Sequence, residues 1–110
     1  MKIGPLTRSH FARFAVATND FNPIHLDDTF AQAAGLPTVV GSGLLAASLI
    51  AETAGGAEGR RLSVRFRQPI FPGDVLDAHL SADDKGYEVV NEQGAIVAVG
   101  RFGPLPEGER

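Results

Sequence analysis

Residues 44–67 read LLAASLIAETAGGAEGRRLSVRFR, and two periodicities meet inside them. From Leu44 to Ala54 the apolar positions Leu44, Leu45, Ala47, Leu49, Ile50 and Ala51 fall on nearly every side of a helix. A helix that is apolar all round belongs inside a core. GGAEG at 55–59 closes it, and the period then drops to two. Leu62, Val64 and Phe66 alternate with Ser63, Arg65 and Arg67, which reads as a strand with one buried face.

Toward the N-terminus, Gly41-Ser42-Gly43 opens the helix, and Pro37 marks an extended, turning segment before it. Asp27 or Asp28 can cap a short helix through TFAQAA, which stops at Gly35. Before that lies the polar turn NDFNPIH at 19–25. A first helix follows Thr7, with Phe11, Phe14 and Ala15 on one face, and ends near Thr18-Asn19. Toward the C-terminus, Pro69 and Pro72-Gly73-Asp74 bend the chain into VLDAHLSA. DDKG at 83–86 is a turn signal, and YEVVN pairs with AIVAVGRF across Glu92-Gln93-Gly94. Helices first and antiparallel strands second predict one α+β domain, a sheet wrapped around a central buried helix. The domain is expected over residues 1–103, with a polar tail at 104–110.

The chain has 110 residues, a net charge of −3, 44% hydrophobic and 21% charged residues, and no cysteine. One domain with a real core fits those figures. The mild acidity gives no electrostatic reason to expect nucleic acid or an anionic membrane as partner. Disulfides, a thiol nucleophile and thiolate metal sites are excluded. MKIGPLTRSHF lacks the apolar core of a signal peptide. The longest weakly polar run, residues 35–51, is broken by three Gly, a Pro and three hydroxylated residues. A soluble, cytoplasmic protein is the expectation.

The chemistry concentrates in DFNPIH at 20–25. His25 has Asp20, Asp27 and Asp28 nearby in sequence, and imidazole both takes and gives a proton near neutral pH. Asp20 and His25 are therefore either a proton-transfer pair or parts of a helix-capping loop. Asn22 offers an amide to a substrate oxygen or a water, and Pro23 stiffens the turn. A metal site from His25, Asp27 and Asp20 lacks a second histidine at ligand spacing. At the helix opening, the free N–H groups beside Gly43 suit a developing oxyanion. Ser42 reads as a helix cap or a nucleophile, and its surroundings fail the spacing of a nucleophile elbow. His10 and His79 read as surface or internally satisfied histidines. Arg65 and Arg67 face away from the apolar side of their strand, either solvated or within reach of a phosphorylated ligand.

Together these stretches resemble the MaoC-like dehydratase family, the (R)-specific enoyl-CoA hydratases built on a hot-dog fold. The resemblance rests on Asp20, Asn22, Pro23, His25 and Asp27, followed by Ala31 and Gly35. The family's His-Gly step into its central helix falls on Ser42-Gly43, ahead of LLAASL, so Ser42 stands where the family usually has histidine. VRFRQPIFPGDVL is similar to the family's strand-turn-strand, with Pro69, Gly73 and Asp74 in place. The likeness runs from about residue 7 to residue 80 and more weakly to residue 102; the strand before the first helix looks shortened to KIGPL.

The resemblance implies reversible hydration of trans-2-enoyl thioesters, of CoA or an acyl-carrier protein, to the (R)-3-hydroxyacyl form. It implies Asp20 and His25 as the pair acting on water, with Gly43, Ser42 and Asn22 as oxyanion or substrate-binding groups. Neither metal nor cofactor is implied. A homodimer is expected, or a heteromer with a second hot-dog subunit. A hot-dog thioesterase and a non-catalytic subunit of a heteromeric hydratase are the alternatives.

Overall fold

The structure, a computed structural model, describes residues 1–106. Strand β1 (Lys2–Ile3) leads into helix α1 (Arg8–Thr18), a one-turn 3-10 helix (Pro23–His25) and helix α2 (Asp28–Ala33). The central helix α3 (Gly43–Thr53) follows, and then strands β2 (Arg60–Phe66), β3 (Leu76–Leu80), β4 (Tyr87–Val90) and β5 (Ile96–Pro104). The five strands form one antiparallel sheet in the order β1-β3-β4-β5-β2.

Local chemistry sets the helix ends where the sequence places them. Thr7 caps α1 in a reciprocal box: its hydroxyl accepts from the His10 N–H, and the His10 ring accepts from the Thr7 N–H at 2.8 Å. This contact explains His10 without any chemistry. Asn19 ends α1 in the left-handed region at φ 55°, one of the few side chains that tolerates it. Asp27 caps α2 by accepting from the N–H groups of Thr29 and Phe30. Among the described residues, no helix is long and apolar enough to cross a membrane.

The core lies between α3 and the sheet. Ala46, Leu49 and Ile50 of α3 pack with Leu76, Ala78, Val89 and Ala98 of the strands. Burying one side chain of leucine size contributes about 1.5–3 kcal/mol, so this interface dominates the stability of so small a domain. Gly100 makes the approach possible: a Cβ there would sit 2.9 Å from the Ile50 side chain.

Three details differ from the sequence reading. Only one face of α3 is covered by this chain, and Leu44 stays 50% exposed, because the sheet lies on one side and the α1–α2 segment does not reach around the other. Phe66, expected on a buried face, is 53% exposed, since it ends the edge strand beyond the main body of the core. Strand β5 extends to Pro104, which pairs with Arg60, so pairing continues one residue past the expected end of the domain. The last four positions of the expected tail, 107–110, lie outside the described residues.

Candidate active site

The turn after α1 presents Asp20 and His25 to each other. Asn22 does most of the local work: its N–H donates to Asp20 Oδ1 at 3.2 Å, and its side-chain oxygen accepts from the Ile24 N–H at 3.2 Å. The first bond holds the Asp20 carboxylate against the turn, and the second starts the 3-10 helix that carries His25. Pro23 occupies the first position of that helix, where its fixed φ fits and no N–H is needed.

His25 is buried, at 9% exposure, yet both ring nitrogens are placed. Nδ1 lies 2.8 Å from the Val40 carbonyl oxygen. Nε2 lies 3.6 Å from Asp20 Oδ2, whose side chain is 43% exposed. That separation is too long for a direct hydrogen bond. It does let one oxygen atom sit within hydrogen-bond reach of both groups. The Val40 N–H in turn donates to the Ile24 carbonyl at 3.0 Å, so the histidine turn and the Val39-Val40 segment are zipped together.

That segment runs directly into the start of α3. Gly41 bridges to Ile70, its N–H 2.7 Å from the Ile70 carbonyl. Ser42, as buried as His25, caps α3 by accepting the Leu44 N–H at 3.2 Å. Gly43 is the first helical residue, and no described residue accepts its N–H. The Phe66 ring covers this spot, for a Cβ on Gly43 would fall 2.8 Å from a ring carbon. Gly43 and Phe66 also line a cleft of about 400 Å³ with Arg67, Gln68, Pro69 and Ile70.

The structure thus brings Asp20, Asn22 and His25 together on one turn and ties that turn through Val40 to Ser42 and Gly43. Asp27 is spent on capping α2, and among the described residues no group of three His, Asp or Glu side chains is arranged to hold a metal ion. His79 lies 3.9 Å from Glu88 on the sheet, apart from this cluster.

Two contributors were not visible in the sequence. The Val40 carbonyl is a backbone group with no side-chain signature. Asp28, read as a possible cap, instead receives the Thr38 hydroxyl at 2.7 Å, the Val39 N–H at 3.0 Å and the Arg8 guanidinium at 2.9 Å. It clamps the Thr38-Val39 segment that delivers Val40 to His25. The hydrogen bond from Arg8, then those from Thr38 and Val39, hold its carboxyl down at about 2.

The sequence model for the MaoC-like domain matches residues 2–99. The (R)-specific enoyl-CoA hydratase of Aeromonas caviae is 35% identical over 79 residues, covering 63% of this chain and 56% of that protein. The 3-hydroxyacyl-thioester dehydratase Y of Mycobacterium tuberculosis is 33% identical over 97 residues, covering 81% of this chain and 33% of the relative. The chain therefore spans less than two thirds of either curated relative. In three dimensions it superposes on the (R)-hydratase of Aeromonas caviae involved in PHA biosynthesis with a TM-score of 0.73. That match has 27% identity and covers 96% of this chain and 93% of the other. The sheet and central helix are those of the hot-dog fold.

Proposed function

The chain belongs to the MaoC-like domain family, and from that premise we infer that it hydrates trans-2-enoyl thioesters reversibly to (R)-3-hydroxyacyl thioesters. The observation that carries this reading is the placement of His25 Nε2 and Asp20 Oδ2 3.6 Å apart, on a turn bonded to the segment that opens α3. A hydratase needs a base for water, an acid for the α-carbon and donors for the enolate-like oxygen.

In this reading Asp20 and His25 share one water. As its oxygen bonds to the β-carbon, the pair takes up its proton, and the double-bond electrons move onto the thioester oxygen as an enolate. The pair then returns a proton to the α-carbon on the same face, and the carbonyl re-forms. The Gly43 N–H, unclaimed within the described chain and at the positive end of α3, donates to the thioester oxygen. The Ser42 hydroxyl accepts from the backbone but keeps its proton to offer to substrate. Asn22 braces the turn through its backbone N–H and its side-chain oxygen, while its side-chain NH2, without a partner among the described residues, stays free to donate to the water or a substrate oxygen.

The apolar side chains left exposed around the helix start, Leu44 and Phe66, favour a second hot-dog subunit covering this face, with a second copy of the chain as the partner. Hydration of a short trans-2-enoyl-CoA by the purified chain, with chiral analysis of the product, tests the activity. The (R)-3-hydroxyacyl-CoA is expected. Release of free CoA would move the chain to the hydrolases, and an intact thioester would leave it without the activity inferred.

A further inference from the structure

Four of the chain's ten lysines and arginines fall within eight residues, Arg60, Arg61, Arg65 and Arg67. Arg60 is occupied: its guanidinium stacks 4.0 Å above the Phe102 ring and donates to the Gly56 carbonyl at 2.7 Å. Arg61, Arg65 and Arg67 make no ion pair or side-chain hydrogen bond with any described residue. In an acidic protein, unpaired guanidiniums gathered on one strand need an explanation.

Their direction follows from the register. Val64 pairs with Gly100 and Leu62 with Phe102 on the side that faces α3, so Ser63, opposite Arg101, and Arg65, opposite Val99, point out of the other side. That outer face holds a groove of about 660 Å³, lined by Arg65, Arg67 and Arg101 among others. Two acidic groups line it too, of which Asp83 is paired with an arginine, Arg101 at 3.6 Å, and Glu88 has only a histidine nearby, His79 at 3.9 Å. Three arginines against two carboxylates leave the groove lining with a net positive charge, and Arg65 and Arg67 are the two arginines without an ion pair.

Arg67 is the link to the candidate site, because it also lines the 400 Å³ cleft with Gly43 and Phe66. Its backbone is fixed where β2 ends, its N–H donating to the Val97 carbonyl at 2.8 Å. Charges on an edge strand also discourage pairing with other chains. That role needs neither a groove nor a residue shared between the groove and the cleft beside Gly43.

We propose that the Arg65–Arg67 end of this groove is a phosphate subsite that holds the phosphorylated end of the thioester carrier while its acyl end lies in the cleft beside Gly43. Guanidinium groups suit the task, since each presents a planar pair of donors to phosphate oxygens. The inference rests on the thioester reading above and deepens it. The ligand chemistry is a phosphopantetheine thioester, which coenzyme A and acyl-carrier proteins share.

The test compares the wild-type chain with an Arg65→Ala/Arg67→Ala variant on three butenoyl thioesters, those of coenzyme A, an acyl-carrier protein and N-acetylcysteamine. The last carries the reacting end with no phosphate. The variant is expected to raise KM about tenfold or more on a phosphorylated carrier, with kcat within about twofold, a loss that added salt reproduces in the wild type. Because Arg67 also borders the cleft beside Gly43, the control on the N-acetylcysteamine ester is the Arg65→Ala single variant, which should match the wild type there. A rise confined to coenzyme A assigns its nucleotide phosphates as the ligand; one confined to the carrier protein assigns that carrier. Unchanged KM on both carriers, or a loss by Arg65→Ala on the phosphate-free ester equal to its loss on the carriers, overturns the proposal. If the wild type hydrates none of the three, the reading of the reaction has failed, and calorimetry with free coenzyme A still decides the subsite. Binding lost in the double variant supports it, and equal or absent binding overturns it.

Discussion

His25 Nδ1 and the Val40 carbonyl oxygen lie 2.8 Å apart, and that contact fixes what the imidazole can offer. A carbonyl only accepts, so Nδ1 carries a hydrogen. In the neutral ring the lone pair is then on Nε2, the atom facing Asp20. Nitrogen NMR should find Nδ1 protonated in the neutral imidazole. A neutral ring protonated on Nε2 instead would remove His25 as a base toward the site. His25→Ala should lower hydration by about 10² or more. It should also cost about 1–3 kcal/mol of stability, because the Val40 carbonyl loses its buried partner.

Asp20 has two jobs that a pair of substitutions separates. Its Oδ1 accepts the Asn22 N–H and shapes the turn, while its Oδ2 faces His25. An asparagine keeps an acceptor for the turn and loses the charge. Asp20→Asn should therefore unfold at nearly the wild-type temperature and hydrate about 10² or more slower. Asp20→Ala should lose the same activity and also some stability. Near-normal turnover by a folded Asp20→Asn would falsify the role in proton transfer.

How far the sequence reaches follows from which groups carry the geometry. The α1 boundaries, the Asp27 cap and the opening of α3 were legible because each rests on local side-chain chemistry within a few residues. The hairpin from β4 to β5 was legible from its alternation and its turn. The acceptor for His25 was not, being a backbone oxygen fifteen residues away. Nor was the clamp at Asp28, whose three donors come from α1 and from the Thr38-Val39 segment. The exposure of Phe66 escaped too, because strand alternation tells which face a side chain takes but not where the core under that face ends.

Gly43 and Phe66 are matched in shape. A methyl at position 43 would meet the far edge of the Phe66 ring at 2.8–3.1 Å. That ring is half exposed and can swing outward, so Gly43→Ala should change stability by less than about 1 kcal/mol, the helix-propensity gain offsetting the contact. The cleft beside the Gly43 N–H would nevertheless change shape. Hydration is expected to fall about tenfold or more, with partial recovery in Gly43→Ala/Phe66→Leu, where the smaller side chain leaves room. No recovery in the double variant would mean that the ring is not what the methyl displaces.

The Asp28 clamp makes a pH prediction whose sign is fixed. Its hydrogen bonds from Arg8, Thr38 and Val39 take the carboxyl from the usual 3.8 down to about 2 in the folded chain. A depressed carboxyl pKa contributes stability that is fully present above the unfolded value and is lost as pH falls through the folded one. Wild type should therefore melt above Asp28→Asn at neutral pH. The gap should close as pH falls from about 4 to about 2. Because the clamp also delivers Val40 to His25, Asp28→Asn should slow hydration at neutral pH, where the wild-type carboxylate is intact. Paired melting curves and rates across that range check both statements. A gap in melting temperature that persists unchanged at pH values near 2 would show that something other than the ionised carboxylate holds the segment.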